Sequence, residues 1–333
     1  MESVYTTWGW LPHDDGHAPA SFFSHMVYMG AALTGQGGLT GVKAAPGSGP
    51  GRPFWGVSQP QEGGEALRHL LENPAARARA ARNIARHCRE GGYAGCSLSI
   101  QAPLPHQRDN LSALVEETAW QLRQAGLALA VEVLGRTRDP QNAGSAGADG
   151  GPSPADWADL YDYMTLGVYT DYFILHAGDL PHGWRADDRP GSDGSIPSPR
   201  GPATWGWLQA VVDYALESVP PRSLVLSLPV YGRIWRPAGQ GWRPGEPVPA
   251  AQVGEIIARE VGDALPEAAW DDVGRCRRLT TLRAVGFYED QESLPPKAEL
   301  VVQNHLAGAA FWRPGLEAPG LWRALAPLLG VKD

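Results

Sequence analysis

The sequence predicts an α/β protein, a (β/α)8 TIM barrel with a small α+β insertion domain between strand seven and helix seven. Three observations carry this expectation. Eight short apolar runs of strand length alternate with helical patterns along most of the chain. The rhythm breaks once, between Trp235 and Ser293, and then resumes with a helix and a last strand. The first strand runs into Trp8-Gly9-Trp10-Leu11-Pro12, which lacks the glycine fingerprint that a doubly wound dinucleotide-binding sheet carries at that point. The expected division is a barrel of residues 1–235 and 296–333 enclosing an insertion of residues 236–295.

Each element has its own local signal. Val4 to Leu11 and Phe22 to Ala32 are apolar runs read as strands one and two, with His25 inside the second, and the Gly/Pro-rich Gly35 to Gly51 is loop. Phe54 to Ser58 is strand three. Glu65 to Glu90 is helical, interrupted at Asn73-Pro74 and stopped by Gly91-Gly92. Gly95 to Gln101 is strand four, Asn110 to Gln124 a helix and Leu127 to Leu134 strand five. A glycine-rich loop from Asn142 to Gly151 precedes Leu160 to Val168, read as strand six. A polar Gly/Pro stretch, Asp187 to Pro202, leads to a helix at Trp205 to Leu216 and to strand seven at Leu224 to Val230. The insertion holds a short helix near Ala251 to Val261 and strand-like pieces around Leu279 to Tyr288. Helix Pro296 to Asn304, strand Ala307 to Trp312 and a helix closing at Leu329 complete the barrel.

Composition narrows the partners. The chain of 333 residues carries a formal net charge of -8, and its 28 Lys plus Arg are dispersed. Nucleic acid is therefore not expected, because phosphate binding needs a concentrated positive field. Cys88, Cys96 and Cys276 are odd in number and have no ligand spacing. His25, His87 and His106 show no H-E-x-x-H or comparable pattern, so each is read as structural or exposed, and neither a metal nor another cofactor is expected. No uncharged apolar run reaches membrane-spanning length and no leader pattern follows Met1, so no membrane partner is expected. The 13 Trp against 6 Phe offer flat faces suited to sugar rings as well as to ordinary packing.

Candidate chemistry follows from period 2. In strand four Ser97, Ser99 and Gln101 share one side and Leu98 and Ile100 the other, so the polar row faces the barrel axis and ends at the C-terminal mouth. That row holds no acid. Glu132 and Asp162 each interrupt an apolar strand pattern, and the same alternation brings both toward the axis on neighbouring strands. They are read either as structural polar groups with Arg or Tyr partners or as a relocated acid pair.

Several strings resemble family 18 glycoside hydrolases, closest to bacterial spore-cortex lytic and spore-germination proteins acting on peptidoglycan N-acetylglucosamine linkages. These are Leu224-Val225-Leu226-Ser227-Leu228-Pro229-Val230-Tyr231-Gly232-Arg233, Phe287-Tyr288-Glu289-Asp290 before Lys297, and Leu306 to Gly315 around Trp312. The resemblance implies the barrel and a glycan partner, and with no leader pattern visible the location is read as cytoplasmic or spore-associated. It also implies an acid pattern D-x-x-D-x-D-x-E on strand four, whose last acid protonates the glycosidic oxygen while the preceding aspartate orients the N-acetyl group. Laid on this chain, the four positions are Ala94, Ser97, Ser99 and Gln101. Gln101 has no titratable proton to deliver. The family's M-x-Y-D string on strand six reads Met164-Thr165-Leu166-Gly167.

The ligand-binding residues expected at the mouth are Gln101, Met164, Tyr231, Arg233 and Trp312. Trp8 and Trp10 are read either as an extension of that wall or as core packing, and Asp171 and Tyr172 as candidates to line the cleft from the sixth loop. Arg233 is read either as a ligand contact or as a partner of Glu289 or Asp290. Three functional readings stay open: a glycan-binding barrel without acid catalysis, an active glycosidase using Glu132 and Asp162, and a structural spore-associated protein with a vestigial cleft.

Overall fold

The structure, a computed structural model, describes residues 4–12, 21–45, 49, 51–102, 104, 106–137, 160–178, 199–238, 241–262 and 267–331. Eight parallel strands close into a barrel: β1 (Thr6–Pro12), β2 (His25–Leu33), β4 (Arg52–Ser58), β5 (Gly95–Ser99), β6 (Ala128–Leu134), β7 (Tyr172–His176), β8 (Leu224–Pro229) and β14 (Gly308–Trp312). β1 pairs with both β2 and β14, which closes the ring, and the two-residue β3 (Leu39–Thr40) adds antiparallel to β2. Helices α1 (Gly64–Glu72), α2 (Pro74–Glu90), α3 (Arg108–Gln124), α4 (Tyr163–Tyr169), α5 (Trp205–Leu216), α7 (Leu294–Gln303) and α8 (Leu321–Leu329) cover the outside. Alternation along the strands sorts the side chains: Cys96 and Leu98 join the outer core beneath the helices, while Trp8, Trp10, Val27, Phe54, Ala130, Ile174, Val225 and Ala310 pack along the axis.

Local chemistry explains the joints. Asn73 caps α2, its side chain accepting from Ala75 N and Ala76 N, and Pro74 fits the first turn, where no N–H is needed. Gly92 ends the turn after α2 with φ 78°. Gly95 lets β5 enter the barrel, since a Cβ there would lie 2.2 Å from the Ala128 carbonyl oxygen and 2.7 Å from Phe54.

The sixth strand lies elsewhere than the sequence suggests. Leu160 to Val168 is mostly helix α4, and strand six is β7, Tyr172–His176. A short apolar run does not distinguish a helix from a strand by itself. Here Asp162 decides it: its carboxylate accepts from Thr165 N at 3.2 Å and Thr165 Oγ at 2.6 Å, forming an N-cap. Asp162 is thus a helix cap outside the barrel and not half of an axial acid pair. Met164 is 64% exposed on the outer face, and Leu166 lies in the outer core.

The second sheet is antiparallel, in the order β10 (Gly241–Pro244), β9 (Gly232–Ala238), β13 (Val285–Tyr288), β12 (Cys276–Thr280), β11 (Ala269–Asp271). Helix α6 (Val253–Val261) packs on it through Val253 and Ile257 against Ile234, Leu279 and Ala284. The whole lies between β8 and α7. A fully buried ion pair stands at its return to the barrel: Lys297 Nζ on α7 lies 2.5 Å from Glu289 Oε1 and donates to the Ala203 carbonyl at 2.8 Å. Ser293 Oγ donates to the second Glu289 oxygen at 2.7 Å.

Candidate functional site

The C-terminal ends of the barrel strands open into a cavity of about 880 Å³, within the range of small-molecule sites. Trp10, Glu132, His176, Ser227 and Trp312 line it from the barrel, Ser58, Gln59, Ser99 and Gln101 from one side, and Tyr231, Arg233, Glu246 and Pro247 from the start of the insertion. The Trp10 and Trp312 rings stand 5.5 Å apart between centroids, and the Trp10 and His176 rings 5.4 Å apart. The barrel therefore presents a continuous aromatic surface.

Glu132 is the centre of the polar floor. It is 5% exposed and accepts three hydrogen bonds, from Ser97 Oγ at 2.7 Å, Trp10 Nε1 at 2.9 Å and His176 Nε2 at 3.0 Å. Burial pushes its acidity toward the neutral form, but the interaction with His176 and the hydrogen bonds from Trp10 and Ser97 outweigh it. The carboxyl is held below its ordinary value. Such a group is an ionised acceptor with three donors on it. It is not poised to give up a proton at neutral pH.

Gln101 is fixed by its backbone. Gln59 brackets it, Oε1 accepting from Gln101 N at 2.6 Å and Nε2 donating to Gln101 O at 3.0 Å. The Gln101 amide in turn donates to Ser99 Oγ at 3.1 Å.

The structure thus brings together Ser97, Ser99, Gln101, Glu132, Trp10, Tyr231, Arg233 and Trp312 around one cavity and its floor. Ala94 lies at the opposite end of β5, where its N–H donates to Pro53 O. Arg233 donates to the Gly245 carbonyl and its guanidinium lies 5.9 Å from the Tyr231 ring centroid. Glu289 is engaged by Lys297 and Asp290 by Arg277. Four expected residues fall elsewhere, Met164 on the outer face already described being one. Trp8 is fully buried below the cavity, stacked on His25 at 4.3 Å and edged by Phe54 and Tyr172. Asp171 sits at the N-terminal end of β7, accepting from Leu129 N at 2.9 Å, and Tyr172 lies in that lower layer, so neither reaches the mouth.

His25 also belongs to this lower layer, where burial lowers its pKa to about 4 and keeps it neutral. His176 and Gln59 were not legible as site residues. The signal for His176 was the run Tyr172-Phe173-Ile174-Leu175-His176, a strand pattern ending in a polar group at the mouth. Among the described residues, no group of three or more His, Cys, Asp or Glu is placed to hold a metal, and no helix is long and apolar enough to cross a membrane.

Residues 60–316, more than three-quarters of the chain, match the family model of glycosyl hydrolases family 18. The chain belongs to this family. Among curated relatives, the putative sporulation-specific glycosylase YdhD of Bacillus subtilis is 23% identical over 270 residues, covering 78% of this chain and 56% of that protein. The Bacillus cereus spore cortex-lytic enzyme SleL superposes with a TM-score of 0.76 at 17% identity, over 97% of this chain and 73% of SleL. A chitinase from Chromobacterium violaceum superposes at 0.74 with 19% identity over 99% of both chains. The chain spans little more than half the length of the curated relatives it first matches. At such identities the likeness to these structures establishes the fold alone.

Proposed function

We propose that this family 18 barrel binds β-1,4-linked N-acetylglucosamine glycans, peptidoglycan or chitin-like, without acid catalysis. One observation carries the reading: an open cavity with an aromatic wall has, on its floor, a carboxylate held ionised by three donors. Aromatic faces supply affinity for the apolar side of a pyranose ring without any proton donor. The family pattern puts the general acid at Gln101, whose amide has no proton to transfer and is tied to Ser99. The names of the relatives, a sporulation-specific glycosylase, a cortex-lytic enzyme and a chitinase, support the glycan class and a spore association.

A second reading keeps Glu132 as a relocated catalytic group, and the Glu132–His176 pair on the cavity floor favours it. Asp162 has no part in it, being a helix cap. A vestigial cleft is disfavoured, because Leu166 lies in the outer core and does not fill the mouth.

Calorimetry and product chromatography with an N-acetylglucosamine oligomer separate these readings. Saturable binding without products is expected. Trp312→Ala should weaken binding by about 1–3 kcal/mol, roughly tenfold or more. Trp322→Ala should leave affinity intact, since that ring packs on Phe22, Phe23 and Phe311 outside the barrel. Folded protein with no affinity would overturn the proposal, and turnover that vanishes in Glu132→Gln would establish the second reading.

A further inference from the structure

The His176 ring is held at one end only. Its Nε2 lies 3.0 Å from Glu132 Oε2. Glu132 is an ionised acceptor, so Nε2 carries the proton between them, and the matching neutral tautomer presents its lone pair on Nδ1. Among the described residues Nδ1 has no hydrogen-bond partner, nor is it one of the sealed polar atoms that lack one. It opens on the cavity, which His176 lines at 16% side-chain exposure.

The surroundings make this an oriented acceptor. Trp10 packs against the ring from β1 and donates its own N–H to the same carboxylate, so ring and indole are both referenced to Glu132. The other charged groups lining the cavity, Arg233 and Glu246, come from the start of the insertion.

We propose that His176 is a ligand-positioning residue of this barrel, its Nδ1 accepting a hydrogen bond from the acetamido N–H of a bound N-acetylglucosamine unit. The inference rests on the glycan reading above and names the group that orients the sugar. It gives Glu132 a part in recognition through its neighbour: by accepting from Nε2, the carboxylate sets the tautomer of the residue that makes the contact.

Two substitutions isolate the nitrogen. His176→Gln keeps a donor for Glu132 near the position of Nε2 and takes the acceptor away from the position of Nδ1, its amide oxygen being carried on the same terminal carbon as the donor. Glu132→Gln keeps an oxygen for Trp10 and Ser97 while offering His176 an N–H, which moves the ring proton to Nδ1 and turns the acceptor into a donor. Calorimetry with an N-acetylglucosamine hexamer should show each variant weakened about tenfold, as for loss of one hydrogen bond in a shielded site. The double variant should be no weaker than either single, because all three remove the same interaction. Trp312→Ala should add its own loss to His176→Gln. In the wild type, the ¹⁵N shift of Nδ1 should report an unprotonated nitrogen that accepts a hydrogen bond when the hexamer is added.

If His176→Gln binds as wild type does, or the wild-type Nδ1 carries the proton, the positioning role falls and the glycan reading stands. A folded wild-type protein with no affinity for the hexamer overturns both.

Discussion

Replacing Glu132 with leucine removes the acceptor around which the cavity floor is assembled. Ser97 and Trp10 are buried, so neither donor reaches bulk water once the carboxylate is gone. A buried donor left without a partner costs about 1–3 kcal/mol, so the two together cost roughly 2–6 kcal/mol. His176 adds little, because it opens on the cavity and water can replace the carboxylate there. Relief of carboxylate burial offsets part of the loss, leaving an expected destabilisation of about 3 kcal/mol. Glu132→Gln should cost about 1 kcal/mol, since its amide can still serve all three neighbours with a shift of the His176 proton. Differential scanning calorimetry of the three proteins at neutral pH should therefore rank them wild type, Glu132→Gln, Glu132→Leu. A leucine variant that unfolds with the wild type, or above the glutamine variant, would refute the claim that this carboxylate satisfies the floor.

Acid should erase the wild-type advantage over Glu132→Gln. The folded-state carboxyl lies below its ordinary 4.5, so its stabilisation is complete above that value and is lost as pH falls through the folded-state value. Thermal midpoints measured from neutrality downward should converge below about pH 4.5, and a gap that widens there would contradict the sign. At the return from the insertion, Lys297→Met should destabilise by about 3–5 kcal/mol by stranding Glu289 in an environment with no exposure. Adding Glu289→Leu should recover most of that loss in thermal unfolding, whereas additive losses would mean that the two side chains act separately.

Much of the barrel was legible because its signals are local and repeated. Asn73-Pro74 marks a helix start by capping and by the missing proline N–H, and Gly92 marks a stop by left-handed backbone. Period 2 is a property of the strand itself, so the alternation through Ser97, Ser99 and Gln101, and through Ala130 and Glu132, was enough to turn those groups away from the helices. The sequence therefore determined the architecture, the acid-free end of strand four and the inward Glu132.

The tertiary structure decided which polar groups meet. Ser97, His176 and Trp10 are 35, 44 and 122 residues from Glu132 in sequence, and only barrel closure brings them to one carboxylate. The identity of strand six was ambiguous for the same reason. Leu160 to Val168 and Tyr172 to His176 are both short apolar runs, and local pattern alone does not choose between them. The choice was made by the Asp162 cap, which commits the first run to helix, and by pairing of the second between β6 and β8. That pairing, a non-local hydrogen-bond register, places His176 against Glu132 and moves Met164 to the surface.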